Sequence, residues 1–208
     1  MLIDSGLGEL WESRGHIQGQ CMSHADSQYM YINIPKNASS WTKPNLLDHS
    51  WEFYNYRTDN LDKQSLVVLR DPVDRWISGI AEFLTLYHSS YSLNSEETID
   101  LIFDRITFDD HTERQVYFLD GLDTDRCTFF WCDENYRNNF SKFMWENYGP
   151  NKYHQYEYQH VSEHSPDRRR FKKIFSDCVE KNSKYLDRIR DHFYQDYNLI
   201  NKVKFYGR

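Results

Sequence analysis

Long apolar runs are missing from this 208-residue chain: no stretch of about eighteen hydrophobic residues occurs, so no helix crossing a membrane is expected. Cysteine is sparse, with Cys21, Cys127, Cys132 and Cys178 spread out and no Cys-x-x-Cys pair of the zinc type. Cys127 and Cys132 would face opposite sides of an extended segment, which argues against a mutual disulfide and for free thiols in a reducing compartment. Positive charge is in deficit, at a net −7, which speaks against a general nucleic-acid binder. No Gly-x-x-x-x-Gly-Lys-[Ser/Thr] loop is present, so an ATP-dependent kinase is a poor reading. The first ten residues lack the positive and apolar stretches of a signal peptide, and a cytoplasmic protein is expected. What the chain has in abundance is aromatic residues, 17% with six tryptophans, enough for the core of one domain over residues 29–208 behind an irregular arm at 1–28.

Two segments share one grammar. In Tyr29-Met30-Tyr31-Ile32-Asn33-Ile34-Pro35-Lys36-Asn37-Ala38-Ser39-Ser40-Trp41 a strand runs into a turn carrying a lysine and two serines at the head of a helix. A helix start offers unpaired backbone N–H groups and a partial positive charge, so a phosphate or sulfate fits there. In Leu66-Val67-Val68-Leu69-Arg70-Asp71-Pro72-Val73-Asp74-Arg75-Trp76-Ile77-Ser78 an apolar strand ends in an arginine, and Asp71 and Pro72 are suited to cap and open a helix. Arg75 and Ser78, three apart, would share a face of that helix.

Together the two segments resemble the cofactor-binding motifs of sulfotransferases that use 3′-phosphoadenosine 5′-phosphosulfate, most closely the carbohydrate (Golgi-type) branch, here in a soluble form. The second motif is matched by Arg70, Asp71, Pro72, Arg75 and Ser78. The first is matched by Pro35, Lys36, Ser39 or Ser40, and Trp41, with Asn37 and Ala38 where many relatives carry glycine or another small residue. Downstream, Asp110-His111-Thr112-Glu113-Arg114-Gln115 is similar to an Asp-x-His-x-x-Pro-Gln segment of that branch, with Arg114 in place of proline. The resemblance runs from about residue 29 to 200 and implies a three-layer α/β sandwich with a parallel central sheet, related to the nucleotide kinases.

The resemblance also implies roles. Lys36 would meet the oxygen bridging sulfur and phosphorus, Ser39 and Ser40 would donate to the 5′-phosphate with Asn37 and Ala38 beside them, and Arg70 and Ser78 would hold the 3′-phosphate. Trp41 would shape the adenine pocket or fill core, with core favoured, and Arg75 would touch phosphate or pair with Asp71 or Asp74, with the structural role favoured. His160, Ser162 and the Asp167–Arg170 cluster fall where relatives keep a loop closing over the cofactor, although a solvated face is the default for three successive arginines. The acceptor must lose a proton, and Glu52, His49 and His111 stand about even as general base, with Asp48 and Glu113 also in range. The tyrosine-rich stretch 153–158 could stack on sugar rings or pack on the surface.

The implied reaction is transfer of a sulfuryl group to a hydroxyl, less readily an amine, of a glycan or related acceptor, with no metal required. A non-catalytic nucleotide- or glycan-binding module on the same fold is the alternative. Along the chain, strands are expected near 29–34, 53–57, 66–69 and 128–131. Helices are expected at 39–48, from Pro72 with a stripe of Trp76, Ile77, Ile80, Phe83, Leu84 and Tyr87, at 95–104, 111–119 and 134–148, and over 167–197 with a break near Asn182.

Overall fold

A computed structural model describes residues 19–55, 62–89, 93, 95–149 and 165–208. The protein is α/β, with a five-stranded mixed sheet and, among the described residues, seven α-helices. No helix among them is long and apolar enough to cross a membrane. The chain forms two compact units, one holding the sheet (described residues within 19–71, 115–149 and 199–208) and one helical (within 72–114 and 165–198).

In the sheet unit the strands are β1 (Cys21–Ser23), β2 (Tyr29–Ile32), β3 (Glu52–Tyr54), β4 (Gln64–Leu69) and β5 (Cys127–Trp131), in the order β3-β1-β2-β4-β5. β2, β4 and β5 run parallel, as expected, and Leu66–Leu69 is buried throughout, the behaviour of an apolar run flanked by strands on both sides. The expected all-parallel sheet is corrected: β1 pairs antiparallel with both β2 and β3. β1 also lies within residues 1–28, read as an irregular arm. Three residues carry no period-two signal, and this strand exists because two neighbours pair with it.

One face of the sheet packs Tyr29, Tyr31, Leu66, Val68 and Phe130 against α1 (Ser39–Asp48) and α4 (Tyr136–Tyr148) through Trp41, Leu46, Phe140 and Phe143. On the other, Met30, Ile32, Val67, Leu69 and Phe129 meet Phe118 and Leu119 of a 3-10 turn (Gln115–Leu119) and the chain end at Leu199, Ile200 and Phe205. Cys127 and Cys132 fall in these two different clusters, and all four cysteines are free thiols. α1 begins at Ser39 and keeps Pro44 inside. The proline removes a single backbone bond, and burial of Trp41, Thr42, Asn45 and Leu46 holds the helix regardless.

The helical unit contains α2 (Pro72–Tyr87), α3 (Glu96–Arg105), α5 (Pro166–Lys181), α6 (Ser183–His192) and most of α7 (Tyr194–Ile200). The α2 stripe is buried from Trp76 to Leu84, while Tyr87 at its end is exposed. Trp76 lies 5.0 Å from Phe103 and 5.6 Å edge-on from Phe175, and Phe103 stacks on Tyr185 at 4.1 Å between ring centres. Ser95 caps α3 by accepting from Thr98 N at 3.2 Å, and Asn182 accepts from Lys184 N at 3.1 Å to open α6, the break expected there.

Residues 111–119 do not form the expected helix. Asp109 Oδ1 accepts from His111 N at 3.0 Å, and Thr112 Oγ1 accepts from Phe108 N at 2.7 Å and Asp109 N at 3.0 Å. These local bonds tie residues 108–112 into a turn, and the 3-10 turn from Gln115 is the helical part of this stretch.

Candidate anion-binding site

β2 ends at Ile32, and residues 33–38 carry the chain to α1. Lys36 (φ 67°) and Ala38 (φ 57°) are left-handed on either side of Asn37. Each such L-residue costs about 1–3 kcal/mol unless the surroundings enforce it. Asn37 N between them donates to Ile34 O at 3.4 Å, which closes the turn. Ala38 is the N-cap of α1 without a side-chain cap bond, and no acidic residue sits in the first turn. The first bonds of the helix run from Trp41 N and Thr42 N to Ala38 O, at 2.9 and 3.0 Å, so the amides of Ser39 and Ser40 precede them.

The parallel register of β2 and β4 brings the second motif's arginine here. Tyr29 pairs with Gln64 and Tyr31 with Leu66. Continued at the same offset, that register sets Arg70 level with Pro35. Arg70 Nη1 donates to Lys36 O at 3.2 Å, and Asn37 Nδ2 donates to Val68 O at 2.7 Å, so the turn is folded over the end of β4. Asn37 Oδ1 is buried without a hydrogen-bond partner among the described residues, a demand that a bound donor would meet. Two cations, two hydroxyls and the amides of a helix start therefore gather at the ends of two adjacent parallel strands. This donor set fits a phosphate or phosphosulfate ester.

Trp41 is buried and meets Tyr136 and Phe140 edge-on at 5.7 and 6.1 Å, so it packs core. Below the site, Thr42 Oγ1 and Tyr136 OH are 2.7 Å apart, and burial pushes the Tyr31 phenol well above its ordinary pKa. Lys43, one turn into α1, is pulled below the ordinary lysine value by burial, with its ammonium 5.6 Å over the Phe53 ring.

Three of the general-base candidates are not brought to this turn. α1 runs about 15 Å back along the sheet. His49 caps its far end, where its Nδ1 lies 2.6 Å from Asn45 O, and Asp48 is the last residue of that helix. Glu52 opens β3 and shares Ser23 as register partner with Met30, so it sits at the sheet end where β2 begins, two strands and about 10 Å across. Its carboxylate accepts from Tyr54 OH at 3.3 Å.

The remaining candidates belong to the helical unit. His111 Nδ1 is 2.8 Å from Oδ2 of Asp109, a buried carboxylate. When Nδ1 carries the proton, this bond fixes the tautomer and leaves the Nε2 lone pair as a proton acceptor. The loop that presents it is firmly built: Arg75, buried, donates to the carbonyls of Glu113 and Asp110, and a Cβ at Gly79 would lie 2.1 Å from His111 O. Arg75 thus ties α2 to the backbone of this loop. Ser78 is buried on α2, and Glu113 lies 3.7 Å from Arg114 Nε. Arg168 pairs with Glu82 at 3.0 Å, Arg170 pairs with Asp167 at 3.4 Å, and Arg169 is exposed, so the three arginines diverge. His160, Ser162 and the 153–158 stretch lie outside the described residues.

Sequence reasoning passed over Asp109 and gave Gln115 no role beyond its place in the Asp110–Gln115 segment. Gln115 is fully buried and bonded to both Asn37 and Arg70. The available signal was a glutamine opening the otherwise apolar run Gln115-Val116-Tyr117-Phe118-Leu119. Comparison with protein-family models, with curated proteins and with solved structures finds no match to this chain.

Proposed function

We propose that this chain is a sulfotransferase that moves the sulfuryl group of 3′-phosphoadenosine 5′-phosphosulfate to a hydroxyl, less readily an amine, of a carbohydrate or related acceptor. The observation that carries this reading is the junction of Lys36 and Arg70. A lysine in a left-handed turn at a helix start is tied through its own carbonyl to an arginine at the end of the neighbouring parallel strand. On this reading the β2-β4-β5 core is that of the sulfotransferase relatives of nucleotide kinases, with β1 and β3 as an antiparallel extension.

When bound, the donor supplies a sulfuryl group whose bond to the leaving phosphate oxygen breaks as the acceptor oxygen bonds to sulfur. Lys36 neutralises charge growing on that phosphate, a role met in phosphoryl transfer by fixed cations. Ser39, Ser40 and the amides of the α1 start orient the 5′ group. Arg70 takes the 3′-phosphate. His111, whose Nδ1 lies 2.8 Å from Asp109 Oδ2, has the chemistry of the residue that receives the acceptor proton at Nε2 when Nδ1 carries the hydrogen.

Calorimetric titration with 3′-phosphoadenosine 5′-phosphate tests the reading. Wild type should bind saturably, and Arg70→Ala should weaken binding by roughly 10- to 100-fold, as expected for losing charge-assisted bonds. Lys36→Ala should reduce sulfate transfer to a responsive glycan by about 10²-fold or more. Binding without transfer to any acceptor of a glycan panel would point to a non-catalytic module. No binding by wild type would remove the sulfotransferase reading.

A further inference from the structure

Gln115 spends its carboxamide on two segments far away in sequence. Its Oε1 accepts from Asn37 Nδ2 at 2.6 Å and from Arg70 N at 2.9 Å, while its Nε2 donates to Arg70 O at 2.9 Å. Bonding both the N–H and the C=O of Arg70 is what the peptide of a neighbouring strand would do. The side chain therefore extends the ladder by one residue past the end of β4 and fixes the backbone from which the arginine projects. Arg70 Nη1 then reaches Lys36 O, and Asn37 reaches Val68 O, so the circuit closes through the left-handed turn. Asn37 and Gln115 are both fully buried, where an unmade hydrogen bond is costly.

We propose that Gln115 is the positioning residue of the anion site: it locks the Lys36–Asn37 turn and Arg70 into one geometry without touching the anion. The proposal rests on reading that turn as an anion site. Only a side chain of this length with an acceptor and a donor on one carbon serves all three bonds. Leucine takes the partner from both the N–H and the C=O of Arg70 and one of two acceptors from Asn37 Nδ2, and an ionised glutamate turns an oxygen toward Arg70 O.

The test uses the full chain, with Gln115→Leu and Gln115→Glu. Amide hydrogen exchange at Arg70 in the unliganded protein should be slow in wild type and at least about ten-fold faster in Gln115→Leu. Calorimetric affinity of Gln115→Leu for 3′-phosphoadenosine 5′-phosphate should fall by roughly ten-fold or more. Gln115→Glu should bind poorly while ionised and approach wild type, measured at the same pH, once acidification protonates it, because a neutral carboxyl places acceptor and donor where the amide had them. A filler role would give no such pH profile. Wild-type binding with unchanged affinity and Arg70 protection in Gln115→Leu overturns the positioning role alone, as does a pH-independent ratio for Gln115→Glu. No binding by wild type overturns the anion-site reading and the proposal with it.

Discussion

The two strand-to-helix junctions look alike in sequence and differ in construction. From β2 to α1 the chain passes through six residues, two of them left-handed, into a helix with no acidic residue in its first turn and no side-chain cap. From β4 to α2 it passes through only Arg70 and Asp71 before Pro72, and Asp74 occupies the first turn. An acidic side chain there offsets the dipole that the first junction leaves uncompensated. The arginines divide accordingly. Arg70 closes on the left-handed turn, whereas Arg75 is buried and donates to the carbonyls of Asp110 and Glu113. Left-handed backbone and an uncompensated helix start collect at one junction, and compensated packing at the other.

That contrast can be broken most directly at Arg75. Arg75→Leu should destabilise the protein by about 3 kcal/mol, because two carbonyls lose a charged donor, with Arg70→Ala costing only about 1 kcal/mol. Equal losses in urea unfolding would erase the division of roles. Next in size, Gly79→Ala places a methyl 2.1 Å from His111 O. An overpacking cost of about 1–3 kcal/mol is expected, and a neutral result would mean that the 109–114 loop is free to retreat.

The left-handed turn gives a smaller effect of opposite sign. Ala38→Gly should stabilise by roughly 1 kcal/mol, since glycine adopts this conformation without a Cβ clash, and Ala38→Val should destabilise. If both variants melt like wild type, the turn carries no strain. The smallest effect is one of pH. Burial, then the nearby Arg114, holds His192 below the ordinary histidine value of 6.5, against opposing pulls from Glu113 and Asp196. The folded state refuses a proton that the unfolded chain accepts. Stability is therefore full above pH 6.5 and declines as pH falls below it. His192→Gln should flatten that decline between neutral and mildly acidic pH, and an unchanged slope would assign it to other groups.

Much of this was legible in the chain itself. The apolar run Leu66–Leu69 marks a central strand, and Trp76, Ile80, Phe83 and Leu84 mark the buried stripe of α2. Asn182 marks the end of α5, and the lysine- and serine-bearing turn marks a strand-to-helix junction. Each is a local signal, readable because backbone period and capping act over a few residues. The candidate site was legible only in part. Lys36 and Arg70 were named from motifs, but Glu52 and His49 were set beside them by nearness in sequence, and strand register carries Glu52 and the length of α1 carries His49 to the far end of the sheet.

Sequence by itself determined the α/β alternation, the positions of most helices and the chemistry available at the two junctions, because these follow from side-chain type and spacing. Tertiary structure alone decided that β1 is a strand, that Pro44 stays within α1, that residues 109–114 form a loop, and that Gln115 joins Asn37 to Arg70. Each of these depends on hydrogen bonds or burial that only the folded chain provides, and their free energy overrides the preferences of the residues taken alone.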